Sequence, residues 1–145
     1  MQTLIEVAHE VGLDVMENAS LPESTTGLFV RIPGIDPIAS LSKNIYGCPK
    51  LEKVALATCI GTHIVMVDDD LYVPTYYDDY KNKPKTANRT EYRRKRRAVE
   101  IAISSEELLG AIASGIEDVW DFAELFGVDE EFMAFRLAVW EKSGR

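Results

Sequence analysis

Histidine and cysteine, the side chains that most often carry chemistry, are scarce in this chain. Two histidines, His9 and His63, and two cysteines, Cys48 and Cys59, are all that its 145 residues contain. Two thiols cannot build a disulfide framework, and such sparse cysteine points to a reducing cytoplasm. No apolar run approaches the ~20 residues that a membrane-spanning helix needs. The opening Met1-Gln2-Thr3-Leu4-Ile5-Glu6 has no basic stretch ahead of an apolar one, so no secretory signal is expected. There is no glycine-rich phosphate loop, no internal repeat, and no serine or cysteine in a recognisable nucleophile signature.

Apolar residues make up 46% of the chain and charged residues 28%, the composition of a soluble globular protein. The length suits a single domain over 1–145, able to bury roughly 70% of the unfolded surface. The net charge of −8 is unevenly spread. Residues 81–97 hold nine Lys or Arg against one acid, Glu91, a local balance of +8 that leaves −16 for the rest. Such a stripe can neutralise phosphates, or it can be a solvated face docked on an acidic surface of this chain or of a partner. Residues 117–140 have a helix-turn-helix cadence, but Asp129-Glu130-Glu131 would open the reading helix, and acids there repel phosphates. Nucleic-acid contact is therefore expected only as a nonspecific one through 81–97.

Three stretches follow one another. In the first, over 1–70, Thr3 and Glu6 make a capping box for a helix with Leu4, Ala8 and Val11 on one face, stopped at Gly12. Strand-like pieces come next at 13–16, 27–32 and 38–41, punctuated by Pro22, Gly27, Pro33-Gly34 and Pro37, and predict a small antiparallel sheet. From Pro49, the residues Leu51, Val54, Ala55 and Thr58, then Ile60 to Val67, predict one buried helix ending at Asp68-Asp69-Asp70. Residues 71–90 read as a long polar loop. The third stretch, to the end of the chain, is helical. One helix is predicted over 88–103. Ser104 and Glu107 form a capping box for the next. Val119, Trp120, Ala123 and Phe126 form an apolar stripe up to Gly127, and Asp129 caps a last helix with Phe132, Phe135, Val139 and Trp140 inward. The fold class is α+β.

Candidate chemistry is confined to a few positions. His9-Glu10-Val11-Gly12 begins like the zinc-protease motif HExxH, but Leu13 stands where the second histidine must face the metal, so His9 reads as a surface residue. Cys59 and His63 are four residues apart, which puts sulfur and imidazole on one helix face and can supply two corners of a zinc tetrahedron. Glu91 or the run Asp68 to Asp70 would have to supply a third. The competing reading is a small buried cysteine beside a histidine satisfied by backbone or carboxylate.

The order of segments resembles the ImmA/IrrE family of zinc metallopeptidase-like proteins of phages and mobile elements. Leu4 to Ala8 and Gly12 to Val15 look like that family's first helix and strand, and Gly27-Leu28-Phe29-Val30 and Ile35 to Ser42 like its next two strands. Leu51 to Ala57 resembles the approach to its metal helix, and Thr90 to Ala98 its "QEYRARxWA" segment. Residues 108–115, 122–128 and 132–137 are similar to its closing pattern. The resemblance implies a zincin-like sheet packed on a central helix that once bound metal, followed by a C-terminal helical bundle. Where the family carries HELGH, this chain reads Thr58-Cys59-Ile60-Gly61-Thr62, then His63. Threonine replaces both ligands and cysteine replaces the general-base glutamate. Measured back from Ser104, the acidic ligand position falls near Arg93, two residues from Glu91, and a cation there repels a metal.

These departures imply a catalytically degenerate member with no catalytic residues and no cofactor. Its partner would be a protein, such as the phage-type repressor that active members are thought to cleave or control. The old cleft would be a peptide groove or packed shut, with the hydroxyls of Thr58 and Thr62 bonded one turn back along the helix. The alternative is an active zinc peptidase using Cys59, His63 and Glu91, with an acid from the loop replacing the missing base.

Overall fold

The computed structural model describes residues 3–66, 71–81 and 89–143. It is an α+β structure, a small four-stranded sheet joined to six helices. The elements are α1 (Leu4–Glu10), β1 (Asp14–Asn18), β2 (Thr25–Arg31), β3 (Ile38–Ser42), α2 (Pro49–Val65), β4 (Leu71–Tyr76), α3 (Arg89–Ala102), α4 (Ser105–Ala113), α5 (Val119–Phe126) and α6 (Glu130–Lys142). A single 3₁₀ turn, Lys43–Ile45, leads from β3 towards α2.

Local sequence sets most of these boundaries. Both capping boxes form: the Thr3 hydroxyl accepts from the Glu6 amide while the Glu6 carboxylate accepts from the Thr3 amide, and Ser104 and Glu107 do the same. Each satisfies two amides that the first helical turn leaves without partners. Asp118 and Asp129 accept from the amides of Trp120 and Phe132 at the starts of α5 and α6. Gly127 ends α5 at φ 69°, a left-handed conformation that costs glycine little.

The sheet differs from the all-antiparallel expectation. Its order is β1-β3-β2-β4, and β1 pairs with β3 in parallel, Asp14 opposite Ile38 and Asn18 opposite Ser42. The other two pairings are antiparallel. The fourth strand occupies part of the stretch expected to be a polar loop. Leu71, Val73 and Thr75 face inward beside Arg31, Phe29 and Gly27 of β2, while Tyr72 and Tyr76 point out. A strand forms there because alternation survives the polar setting, and Pro74 is tolerated since β4 lies at the sheet edge. Residues 77–81 of that stretch turn away from the sheet edge and 89–90 begin α3, while 82–88 lies outside the described residues, as do Asp68, Asp69 and Asp70. Helix α2 ends at Val65, two residues short of the predicted end, where the Met66 amide bonds the Thr62 carbonyl.

Helix α2 is buried on nearly every side from Val54 to Thr62. An all-round buried helix must sit between two layers, and two apolar clusters flank it. Leu56, Cys59 and Ile60 pack with Phe29, Ala39, Ala8 and Leu13 against the sheet. Val54 and Ala57 pack with residues of α3 to α6, among them Val99, Phe122, Phe132 and Met133. Arg136 binds this second layer together: it is buried, and its Nε donates to the Ile103 carbonyl at 2.8 Å just past the end of α3, a favourable place for a cation. Trp120 departs from its expected core role and is 53% exposed; Phe122 takes the inward position on α5. A groove of about 860 Å³ opens between α1 and the rest, walled by Leu4, Val7, Val15, Leu41, Leu56 and Ile101.

Candidate functional site

Thr58 and Thr62 lie one turn apart on α2, on the side that meets α3. Both are buried, Thr58 at 0% and Thr62 at 1% exposure. Each hydroxyl donates to the carbonyl four residues back, Thr58 to Val54 at 2.7 Å and Thr62 to Thr58 at 2.8 Å. With their protons committed, both oxygens act as acceptors. The Tyr80 hydroxyl lies 2.8 Å from Thr58 Oγ1, and Arg94 donates to Thr62 Oγ1 at 3.3 Å.

Tyr80 comes from the turn after β4 and is buried, its ring edge-on to Phe132 and Phe135 at 4.8 and 5.5 Å. Burial pushes its phenol well above the ordinary tyrosine range. Arg94 comes from α3, where it shares a face with Ala98 and Ala102 one and two turns on, and it is 2% exposed. Its guanidinium is bound on several sides. Glu91 takes Nε at 3.2 Å and Nη2 at 2.8 Å, the Pro74 carbonyl accepts at 3.4 Å, and Asp79 lies 3.7 Å away. Burial raises the Asp79 carboxyl, against the pull of the Tyr76 amide, Arg94 and Lys95. A desolvated cation needs this kind of enclosure, since an unpaired one would be expelled to water.

Helices α2 and α3 approach closely because residue 61 is glycine. A Cβ on Gly61 would lie 2.6 Å from the Arg94 carbonyl oxygen and 2.8 Å from the Ala98 nitrogen. This approach brings Arg94 within reach of Thr62.

Cys59 and His63 point to the sheet side instead. Cys59 Sγ is fully buried near Gly27, and burial pushes its thiol up to about 12. A metal-binding thiol must be a thiolate, which this setting disfavours. His63 Nε2 is 2.7 Å from the Val11 carbonyl, so Nε2 carries the proton and donates. Nδ1 then accepts from Arg31 Nη2 at 2.7 Å. Both ring nitrogens are engaged, and a guanidinium faces the one lone pair a metal would need. Arg31 also donates to the carbonyls of His63 and Met66, and its guanidinium lies 5.3 Å from the Phe29 ring centre.

Glu91 is not brought to Cys59 or His63; it is bound to Arg94 and to Lys95, the latter at 3.7 Å. Arg93, the cation expected near the acidic ligand position, is exposed, and its neighbour Arg94 is the residue that turns inward. His9 is exposed, as is Cys48. Among the described residues, no three of His, Cys, Asp and Glu stand together as a metal-holding group. The donor set does not fit zinc: the hydroxyls, the imidazole and Glu91 already have partners, and two arginines lie among them. Tyr80 and Arg94 escaped the sequence reading. The available signal for Arg94 was its phase, four and eight residues before Ala98 and Ala102.

No protein-family model matches the sequence, and no curated protein matches it either. Among the described residues, no helix is long and apolar enough to cross a membrane.

Proposed function

We propose that the chain is a catalytically degenerate ImmA/IrrE-type protein of phage or mobile-element origin. It keeps a zincin-like arrangement and acts by binding a repressor or other regulatory protein without cutting it. One observation carries the reading. At the two positions where the resemblance puts metal-binding histidines, Thr58 and Thr62 accept hydrogen bonds from a tyrosine hydroxyl and an arginine guanidinium. A resident guanidinium takes the role of positive charge beside Thr62, with Glu91 and Asp79 as its anions. A metallopeptidase needs a metal and a carboxylate base to activate water, and here the carboxylates of this cluster face Arg94. The sheet packed on α2, with α3 crossing the other side, supports the ancestry.

Zinc bound per chain, measured by elemental analysis on tag-free protein soaked in modest zinc, tests this. The expected value is near zero, with a neighbouring repressor retained by the protein and left intact. One zinc per chain, lost on Cys59→Ala or His63→Ala, would overturn it in favour of a zinc peptidase at that pair.

A further inference from the structure

The segment 81–97 carries nine bases, and the structure sorts those it describes into two groups. Arg94 and Lys95 turn inward, Lys95 donating to the Asp79 carbonyl at 2.7 Å and lying 5.7 Å from the Tyr80 ring centre. They also take up Glu91, the segment's one acid. Lys81, Arg89, Arg93, Arg96 and Arg97 are exposed. Arg96 lies 3.6 Å from Glu100, whereas none of the ion pairs among the described residues uses Arg89, Arg93 or Arg97.

Those three arginines are spaced i, i+4, i+8. At about 1.5 Å rise per residue they form a row roughly 12 Å long on one side of α3. Like charges at this spacing disfavour a helix, so the row carries a cost that no internal acid offsets.

We propose that this row, Arg89, Arg93 and Arg97 with Arg96 beside it, binds the phosphate backbone of nucleic acid without reading its sequence. The binding is independent of any peptidase ancestry. The rest of the chain carries −16, so the partner must attract the row more strongly than the body repels it. A duplex presents one charge per about 1.7 Å, roughly seven along this row, and releases condensed counterions when they are neutralised. An acidic protein has no such atmosphere to release and gains less. Guanidinium forks match phosphate oxygens two at a time. Repulsion from the acidic body fades beyond about 8 Å at physiological salt, which leaves the local row to act.

Fluorescence anisotropy of the full chain with two labelled 20-base-pair duplexes of unrelated sequence, from 20 to 200 mM salt, tests the proposal. Equal binding to both is expected, tightest at low salt, with log K falling against log salt at a slope of about −3 for three to four phosphates. The variant Arg89→Gln/Arg93→Gln/Arg97→Gln changes only exposed side chains. It should keep or slightly raise the parent's thermal transition and lose most of that slope, about one unit per arginine. No anisotropy change at 20 mM salt overturns the proposal, as does a slope the triple variant leaves unaltered. Displacement of DNA by poly-L-glutamate at equal charge concentration also overturns it, and assigns the row to an acidic polypeptide.

Discussion

Arg94 and Thr62 meet across the α2–α3 interface, guanidinium to hydroxyl at 3.3 Å, both almost fully withdrawn from water. The contact is one of several that hold Arg94, whose guanidinium also lies beside the half-buried Glu91 and the more deeply set Asp79.

Arg94→Ala removes the guanidinium that Asp79 and Glu91 share and leaves Lys95 as their one neighbouring cation among the described residues. Breaking a buried ionic group by removing one partner typically costs about 3–5 kcal/mol. Urea denaturation should show a loss of that order. Arg94→Lys should recover only part of it, because one ammonium cannot reproduce the fork that holds Glu91 through two nitrogens. Full recovery by lysine would mean that charge alone matters.

Gly61→Ala forces a methyl to 2.6 Å from one backbone atom and 2.8 Å from another, neither able to swing away like a side chain. Overpacking of this kind costs about 1–3 kcal/mol or more. A fall in Tm of several degrees is expected, although alanine is the better helix former by about 1 kcal/mol.

The two thiols should respond differently to alkylation. Cys48 is exposed and Cys59 fully buried, its thiol held protonated. At pH 8, mass spectrometry after iodoacetamide treatment should find one adduct per native chain, on Cys48, and two per chain in denaturant. Rapid native labelling of both would show that the sheet side of α2 opens.

Alkaline pH should destabilise the fold. Cys59 rises from an ordinary 9.0 in the unfolded chain to about 12 in the folded one, so its contribution is complete below pH 9 and is lost as pH climbs towards 12. Tyr80 shifts in the same direction for the same reason, burial. Denaturation midpoints taken between pH 8 and 11 should fall, and Cys59→Ala should flatten the decline.

Local chemistry was the legible part of the sequence. Thr3, Ser104, Asp129 and Gly127 act within a turn of themselves, and each does in the structure what its neighbours in sequence imply. The threonine hydroxyls also bond one turn back, as helix geometry suggests. The parallel seating of β1 on β3 was not legible, because it depends on a return of the chain through 24 residues. Strand β4 was obscured by Pro74 and the surrounding Tyr and Asp residues, although Leu71, Val73 and Thr75 alternate with outward tyrosines. At the candidate site the motif positions were readable and their occupants were not. Arg94 sits in a run of five consecutive bases, 93–97, where composition suggests water on every side. Only the phase of α3 distinguishes it from its neighbours.

The parallel pairing of β1 also divides the molecule in time. Strands β2 and β3 can zip as a local hairpin, whereas β1 has no bonded neighbour until β3 exists to receive it. Helix α1 and strand β1 therefore wait for the chain behind them. They lie at the sheet's rim, seated mainly by Ala8 and Leu13. Local opening costs least where few buried apolar side chains hold the chain, and α1 buries only Ala8 while β1 buries none. The amides of α1 and β1 are thus expected to exchange their hydrogens before those of α2 and α3, which meet closely at Gly61.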